Sequence, residues 1–186
     1  MGRSAASGAR GCRPSAPPTH ATAAAQRGTR FHEWVEARFG QVPLIDLDGL
    51  LPEGEAAQND DLKSLQEAFL AGPYADREPV AVEAPFQLVL GAQILVGRID
   101  AVYAADPNDP ALPAGTRYEV VDWKTGQNAA DPLQLALYRI AWAELHQVPV
   151  DQVAATFYYV SSGRIERPAE MPDREAIDKW WSTSTA

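Results

Sequence analysis

Residues 117–126 read RYEVVDWKTG, and the alternation within this stretch decides the fold. Tyr118, Val120 and Val121 form the apolar part of a buried strand. On an extended chain side chains two apart share a face, so Asp122 and Lys124 project together while Trp123 turns the other way into the core. A carboxylate and an ammonium are thereby held side by side, at what reads as the exposed end of the strand. Taken alone, the pair is equally well a surface ion pair of small energetic consequence.

Working outward, VAVEAPFQLVL (80–90) and QILVGRIDAVYAA (93–105) are rich in β-branched and aromatic residues, and Gly91-Ala92 between them fits a hairpin turn. The Pro, Asp and Gly cluster of 106–116 then leads into the strand carrying Asp122, which predicts a meander of three antiparallel strands. In that meander Asp100, at the end of Gly97-Arg98-Ile99-Asp100, lies beside Asp122. Two carboxylates and a lysine then meet on one sheet face. Oxygen ligands of this kind suit Mg²⁺ or Mn²⁺.

The flanks are helical. Phe31, Trp34, Val35 and Phe39 recur at helical spacing and Gly40 is placed to stop them, predicting a helix over about 23–39. DDLKSLQEAFLAG (60–72) reads as a capped amphipathic helix. Asp131 as N-cap and Pro132 at the first helical position open LQLALYRIAWAELHQ, and VAATFYYV (153–160) is a further strand. The predicted order is helix, helix, three strands, helix, strand, short strand, helix. Residues 1–21 carry almost no bulky apolar side chain and read as a disordered linker or tether, leaving 22–186 as the folded domain.

The whole chain, 186 residues and 46 % hydrophobic, is enough for one domain with a sizeable core. Cys12 is its one cysteine, which excludes a disulfide framework, a thiolate zinc site and an iron–sulfur cluster built within the chain. No apolar run is long enough to span a membrane, and a cytoplasmic location is expected. The net charge of −9 is uneven: residues 1–30 hold five arginines and no acid, so the remainder carries −14. A domain of that charge is no self-sufficient electrostatic binder of nucleic acid.

Four pieces, in order, carry a resemblance: Gly28-Thr29-Arg30-Phe31-His32, Gly97-Arg98-Ile99-Asp100, Asp122-Trp123-Lys124-Thr125-Gly126 and Gln134-Leu135-Ala136-Leu137-Tyr138. Together they resemble the RecB-like nucleases of the PD-(D/E)xK superfamily, especially the C-terminal nuclease domains of bacterial helicase–nucleases. The resemblance implies an α/β, restriction-endonuclease-like core with a mixed central sheet flanked by helices. It makes His32, Asp100, Asp122 and the main-chain carbonyl of Trp123 metal ligands and Lys124 the catalytic lysine beside Asp100 and Asp122. Gln134 and Tyr138 become the QxxxY motif that supports the site and contacts DNA, with Arg30 a further DNA contact. Ile99 stands where the superfamily's name has proline, as is usual among RecB-like members. The implied activity is Mg²⁺- or Mn²⁺-dependent hydrolysis of DNA, single-stranded in particular, next to a helicase motor in cis or in trans, in repair or recombination.

Each position also has a plainer reading. His32 sits among aromatic residues where packed histidines are common, Gln134 completes a capping box with Asp131, and Tyr138 fits core packing, a hydrogen bond or a base-stacking platform. HEWVE lacks the second histidine of the zinc-peptidase HExxH, so Glu33 and Glu36 read as solvated charges. Glu83 likewise reads as a solvated acid rather than a ligand. No GxxxxGK[ST] occurs, so this chain carries no such ATPase motor. The alternatives are a catalytically inactive DNA-binding or structural module of a helicase complex and a stand-alone exonuclease like those of CRISPR adaptation, although the latter typically need four cysteines.

Overall fold

The computed structural model describes residues 23–40 and 56–184, in the order α1 (Ala23–Phe39), α2 (Ala56–Leu70), β1 (Ala81–Leu90), β2 (Gln93–Ala104), β3 (Tyr118–Lys124), α3 (Pro132–His146), β4 (Val153–Tyr159), β5 (Arg164–Glu166) and α4 (Arg174–Ser184). Residues 1–21, read as a tether, lie outside the described residues. The expected order of elements is found. α2 starts four residues earlier than expected, at Ala56 rather than at the Asp60-Asp61 pair, through an alanine pair of high helix propensity.

The strands form one sheet in the order β1-β2-β3-β4-β5. The first three make the predicted antiparallel meander, β3 and β4 run parallel, and β5 returns antiparallel. Gly91, at φ +59°, makes the tight turn between β1 and β2. Pro85 is tolerated inside β1 because β1 is an edge strand. α3 is the crossover between the parallel strands. It opens as predicted, with the Asp131 carboxylate accepting from the Leu133 N–H and Pro132 in the first turn.

Each face of the sheet has its own core. Leu88, Val102, Val120, Phe157 and Tyr159 pack with Leu135, Ile140 and Trp142 of α3, while Val121, Trp123, Tyr103 and Tyr158 pack with Phe31, Val35, Leu65 and Phe69 of α1 and α2. Trp123 faces α1 and α2 as its place in the alternation requires, its ring 5.8 Å from Phe69 and 6.4 Å from Phe31.

The alternation breaks at one paired position. In β1, Ala81 belongs to the α3 side and Val82 to the α1 side, yet Ala84 and Phe86 return to the α3 side on even numbers. In β2, Ile99 faces α3, whereas Ala101 and Tyr103 face α1 and Val102 faces α3. The phase therefore inverts at Glu83 in one strand and at Asp100 in the other. These two residues stand opposite each other in a register that pairs Val82 with Ala101 and Ala84 with Ile99. Glu83 has φ +47°, a left-handed conformation that a side chain beyond glycine adopts only at a cost.

A second buried acid holds the far end of β3. Glu119 is fully buried and accepts from the Tyr74 hydroxyl at 3.1 Å, Arg77 at 3.0 Å, Thr156 at 2.8 Å and Arg167 at 2.9 Å. The arginines come from the α2–β1 connection and from the segment after β5, so one carboxylate ties the chain's middle to its last third. Glu119→Ala leaves two guanidinium groups without their buried acceptor and is expected to cost about 3–5 kcal/mol, read from chemical denaturation. A loss below 1 kcal/mol contradicts this role.

Candidate active site

The site forms where β2 and β3 part. Their ladder ends at Ala101↔Val121, so the Trp123 N–H and C=O find no continuation of β2 backbone. The N–H instead donates to Asp100 Oδ2 at 3.0 Å, and the carbonyl lies 3.3 Å from His32 Nε2. His32 reaches this point because Phe31 and Val35 anchor α1 on Trp123, and because Gly28 lets the helix approach the loop after β3. A Cβ at Gly28 would stand 3.3 Å from Thr125 Oγ1. His32 Nδ1 lies 3.2 Å from Glu83 Oε1 and 3.7 Å from Asp100 Oδ2. One donor atom from each of His32, Glu83 and Asp100 falls within 4.8 Å of the others.

From the opposite face of the sheet come Asp122 and Lys124, 2.7 Å apart. Lys124 Nζ donates to Gln134 Oε1 at 2.9 Å, and Gln134 Nε2 donates to the Tyr138 hydroxyl at 3.0 Å. Since an ammonium only donates, it fixes the orientation of the Gln134 amide, and through it the proton on the tyrosine is left pointing elsewhere. Gln134 is thus a bridge between the first turn of α3 and the strand end rather than a capping-box partner. Tyr138 also packs its ring on Phe86. Arg30 lies half-buried on α1, two residues before His32. Glu33 and Glu36 are exposed, as expected.

Two expectations need correction. Asp122 is not at an exposed strand end: it is 1 % exposed, and of the pair Lys124 alone remains half-buried. Glu83 is not a solvated acid, since its side chain is 15 % exposed and turned onto His32. The sequence signal for it was weak because strict alternation gives the wrong face on one side of the phase inversion.

Burial and mutual repulsion dominate the electrostatics. Burial, then the Asp122 charge, pushes Asp100 from the ordinary 3.8 up to about 7, with His32 and the Trp123 N–H opposing. Burial also raises Asp122, partly offset by Lys124. For His32, burial disfavours the charged ring but is outweighed by the hydrogen bond to Glu83 and the charges of Asp100, Glu83 and Asp122, so its pKa is raised. This donor set fits a small divalent cation, which would relieve the repulsion between the acids. The 3.3 Å between His32 Nε2 and the Trp123 oxygen is near the spacing, about 3 Å, of adjacent ligands around an octahedral ion with bonds of about 2.1 Å.

A mixed five-stranded sheet flanked by helices, opening over buried acids and a lysine, defines a restriction-endonuclease-like α/β fold. The sequence matches the PD-(D/E)XK nuclease superfamily over residues 6–183, and the chain belongs to that superfamily, whose members are generally metal-dependent nucleases. Compared with curated proteins, the sequence finds no match. Among the described residues no helix is long and apolar enough to cross a membrane.

Proposed function

We infer that this domain hydrolyses DNA phosphodiester bonds with a divalent metal ion, Mg²⁺ or Mn²⁺. The observation that carries the reading is the convergence, at the parting of β2 and β3, of His32, Glu83 and Asp100 with the Asp122–Lys124 pair. Asp100, Asp122, His32 and the Trp123 carbonyl are the residues that would hold the ion, and imidazole among the ligands favours Mn²⁺ as activator. Bound there, a divalent cation supplies charge neutralisation at the scissile phosphate and a lowered pKa for water. Lys124, steadied by Asp122 and Gln134, orients the attacking water and offsets charge that develops on the phosphate. Tyr138 and Arg30 serve the DNA strand, with Gln134 supporting the lysine.

Substrate and context follow from charge. With −14 over residues 31–186 the domain repels a polyanion at long range, so it binds DNA weakly, cuts distributively and depends on a helicase motor to raise the local concentration of single strand. Titrating Mn²⁺ and Mg²⁺ against single-stranded and duplex DNA tests this. Slow cleavage of single strands that weakens steeply with salt is expected, whereas tight, salt-insensitive binding or processive degradation without a motor points to a free-standing nuclease.

The same ligands predict a pH-dependent stability. Asp100, Asp122 and His32 all have raised pKa values in the folded chain, so the folded state holds more protons than the unfolded one and stability falls as pH rises through the raised values. For Asp100 the loss between pH 4 and 8 is on the order of 4 kcal/mol. Metal-free protein should therefore melt lower at pH 8 than at pH 5.5, and added Mn²⁺ should raise Tm more at pH 8. A metal-induced rise that is equal or larger at pH 5.5 contradicts the ligand assignment.

A further inference from the structure

We propose that Glu83 is the carboxylate that fixes the tautomer of His32, holding the proton on Nδ1 so that the Nε2 lone pair is presented beside the Trp123 carbonyl. This rests on the metal reading of the site and adds to it a positioning residue that the sequence motifs do not contain.

The hydrogen-bonding partners of His32 are mismatched. His32 Nδ1 lies 3.2 Å from Glu83 Oε1 and Nε2 lies 3.3 Å from the Trp123 oxygen, and both oxygens are acceptors. A neutral imidazole has one N–H, so one of these two contacts sets a lone pair against a lone pair. The proton goes to the stronger acceptor, and a hydrogen bond to a carboxylate is roughly twice as strong as one to a neutral carbonyl. Nδ1–H therefore donates to Glu83, which leaves Nε2 and the Trp123 oxygen as two electron-pair donors converging from α1 and β3. In the neutral ring a cation resolves that contact, as a second ring proton does when the ring is charged, and nothing else in the immediate surroundings of Nε2 donates to it among the described hydrogen bonds.

The backbone supports the same assignment. Glu83 and Gln147 are the two non-glycine residues with positive φ among the described residues. Gln147 is accounted for as the left-handed C-cap of α3. Glu83 is the third residue of β1, caps no helix, and stands opposite Asp100 where the phases of both strands invert. Strain of this kind is unfavourable and persists where the surroundings impose it. Its consequence here is to turn the carboxylate onto His32. The resulting Glu83–His32 pair has the form of the carboxylate–histidine pairs that orient metal-ligating imidazoles.

The test is made on the whole chain, with ¹⁵N-labelled histidine and chelator-treated protein at a pH where the ring is neutral, His32 being assigned by its loss in His32→Ala. The expected spectrum has His32 protonated at Nδ1 with Nε2 bare. In Glu83→Ala, Nδ1 keeps only the longer 3.7 Å approach to Asp100 Oδ2, too long for a hydrogen bond, so the Nδ1 tautomer is no longer fixed and a share of the rings carries the proton on Nε2, where it donates to the Trp123 carbonyl, and calorimetry shows Mn²⁺ affinity about 10–100-fold weaker. Glu83→Gln, which keeps the volume and an oxygen acceptor, loses less affinity than Glu83→Ala. The proposal is overturned if wild-type His32 carries its proton on Nε2, which makes Glu83 a direct partner of whatever Nδ1 binds, or if Glu83→Ala binds Mn²⁺ as tightly as the wild type. Absence of Mn²⁺ binding by the wild type itself sinks the metal reading instead, while the tautomer of the metal-free protein still decides the role of Glu83.

Discussion

Lys124→Met is expected to lower the rate of DNA cleavage by about 10²–10⁴-fold while leaving the fold and Mn²⁺ binding in place. Methionine keeps an unbranched apolar stem beside Phe157, over whose ring the Lys124 ammonium lies at 5.2 Å, and removes only the charge and its donors. Gln134 accepts from one of those donors and Asp122 pairs with the ammonium as an ion at 2.7 Å, which holds it in one place at the strand end. Loss of a positioned charge of this kind acts on the transition state, so kcat should fall with little change in DNA binding. Single-turnover cleavage of a labelled oligonucleotide, with Mn²⁺ calorimetry on the same preparation, gives both quantities. A variant that cuts within threefold of the wild-type rate removes Lys124 from the chemistry.

Asp122→Asn is the second large effect, expected to reduce cleavage by about 10³-fold or more and to weaken Mn²⁺ binding as well. Asparagine is the proper replacement because Asp122 is buried, and alanine would add a cavity to the loss of charge. The amide keeps the volume and one oxygen but cannot supply the negative charge. Lys124 then loses its 2.7 Å partner, so the lysine is misplaced and the ligand set weakened by one substitution. Lys124→Met and Asp122→Asn should accordingly be strongly non-additive when combined, since each disables the same unit. A double variant whose loss equals the product of the single losses contradicts a shared role.

What the sequence made legible and what it hid divide along a physical line. The alternation of β3 places Trp123 in the α1 side and Asp122 with Lys124 on the other, because a paired strand has a fixed period of two. The cap at Asp131, the turn at Gly91 and the anchoring of α1 by Phe31 and Val35 are likewise local chemistry, and the structure has each of them. Glu83 was hidden because its direction depends on a positive φ and on a phase inversion shared with Asp100 across two strands. Neither has a signature in residue type. The burial of Asp122 was hidden for a different reason. A strand end looks exposed in one dimension, and only the packing of segments distant in the chain buries it. Glu119 was unremarkable for the same reason, its four partners lying 37 to 48 residues away in the chain.

The proposed nuclease centre requires a divalent ion, which Asp100, Asp122 and His32 would hold. The most direct measurement is cleavage of a single-stranded oligonucleotide by purified protein treated with EDTA and then resupplied with Mn²⁺ or Mg²⁺, beside Asp122→Asn carried through the same steps. No cleavage in EDTA, restoration by either ion in the wild type and none in the variant is the predicted result. Cleavage that persists in EDTA, that is equal in Asp122→Asn, or that no divalent ion elicits from folded wild-type protein would contradict it.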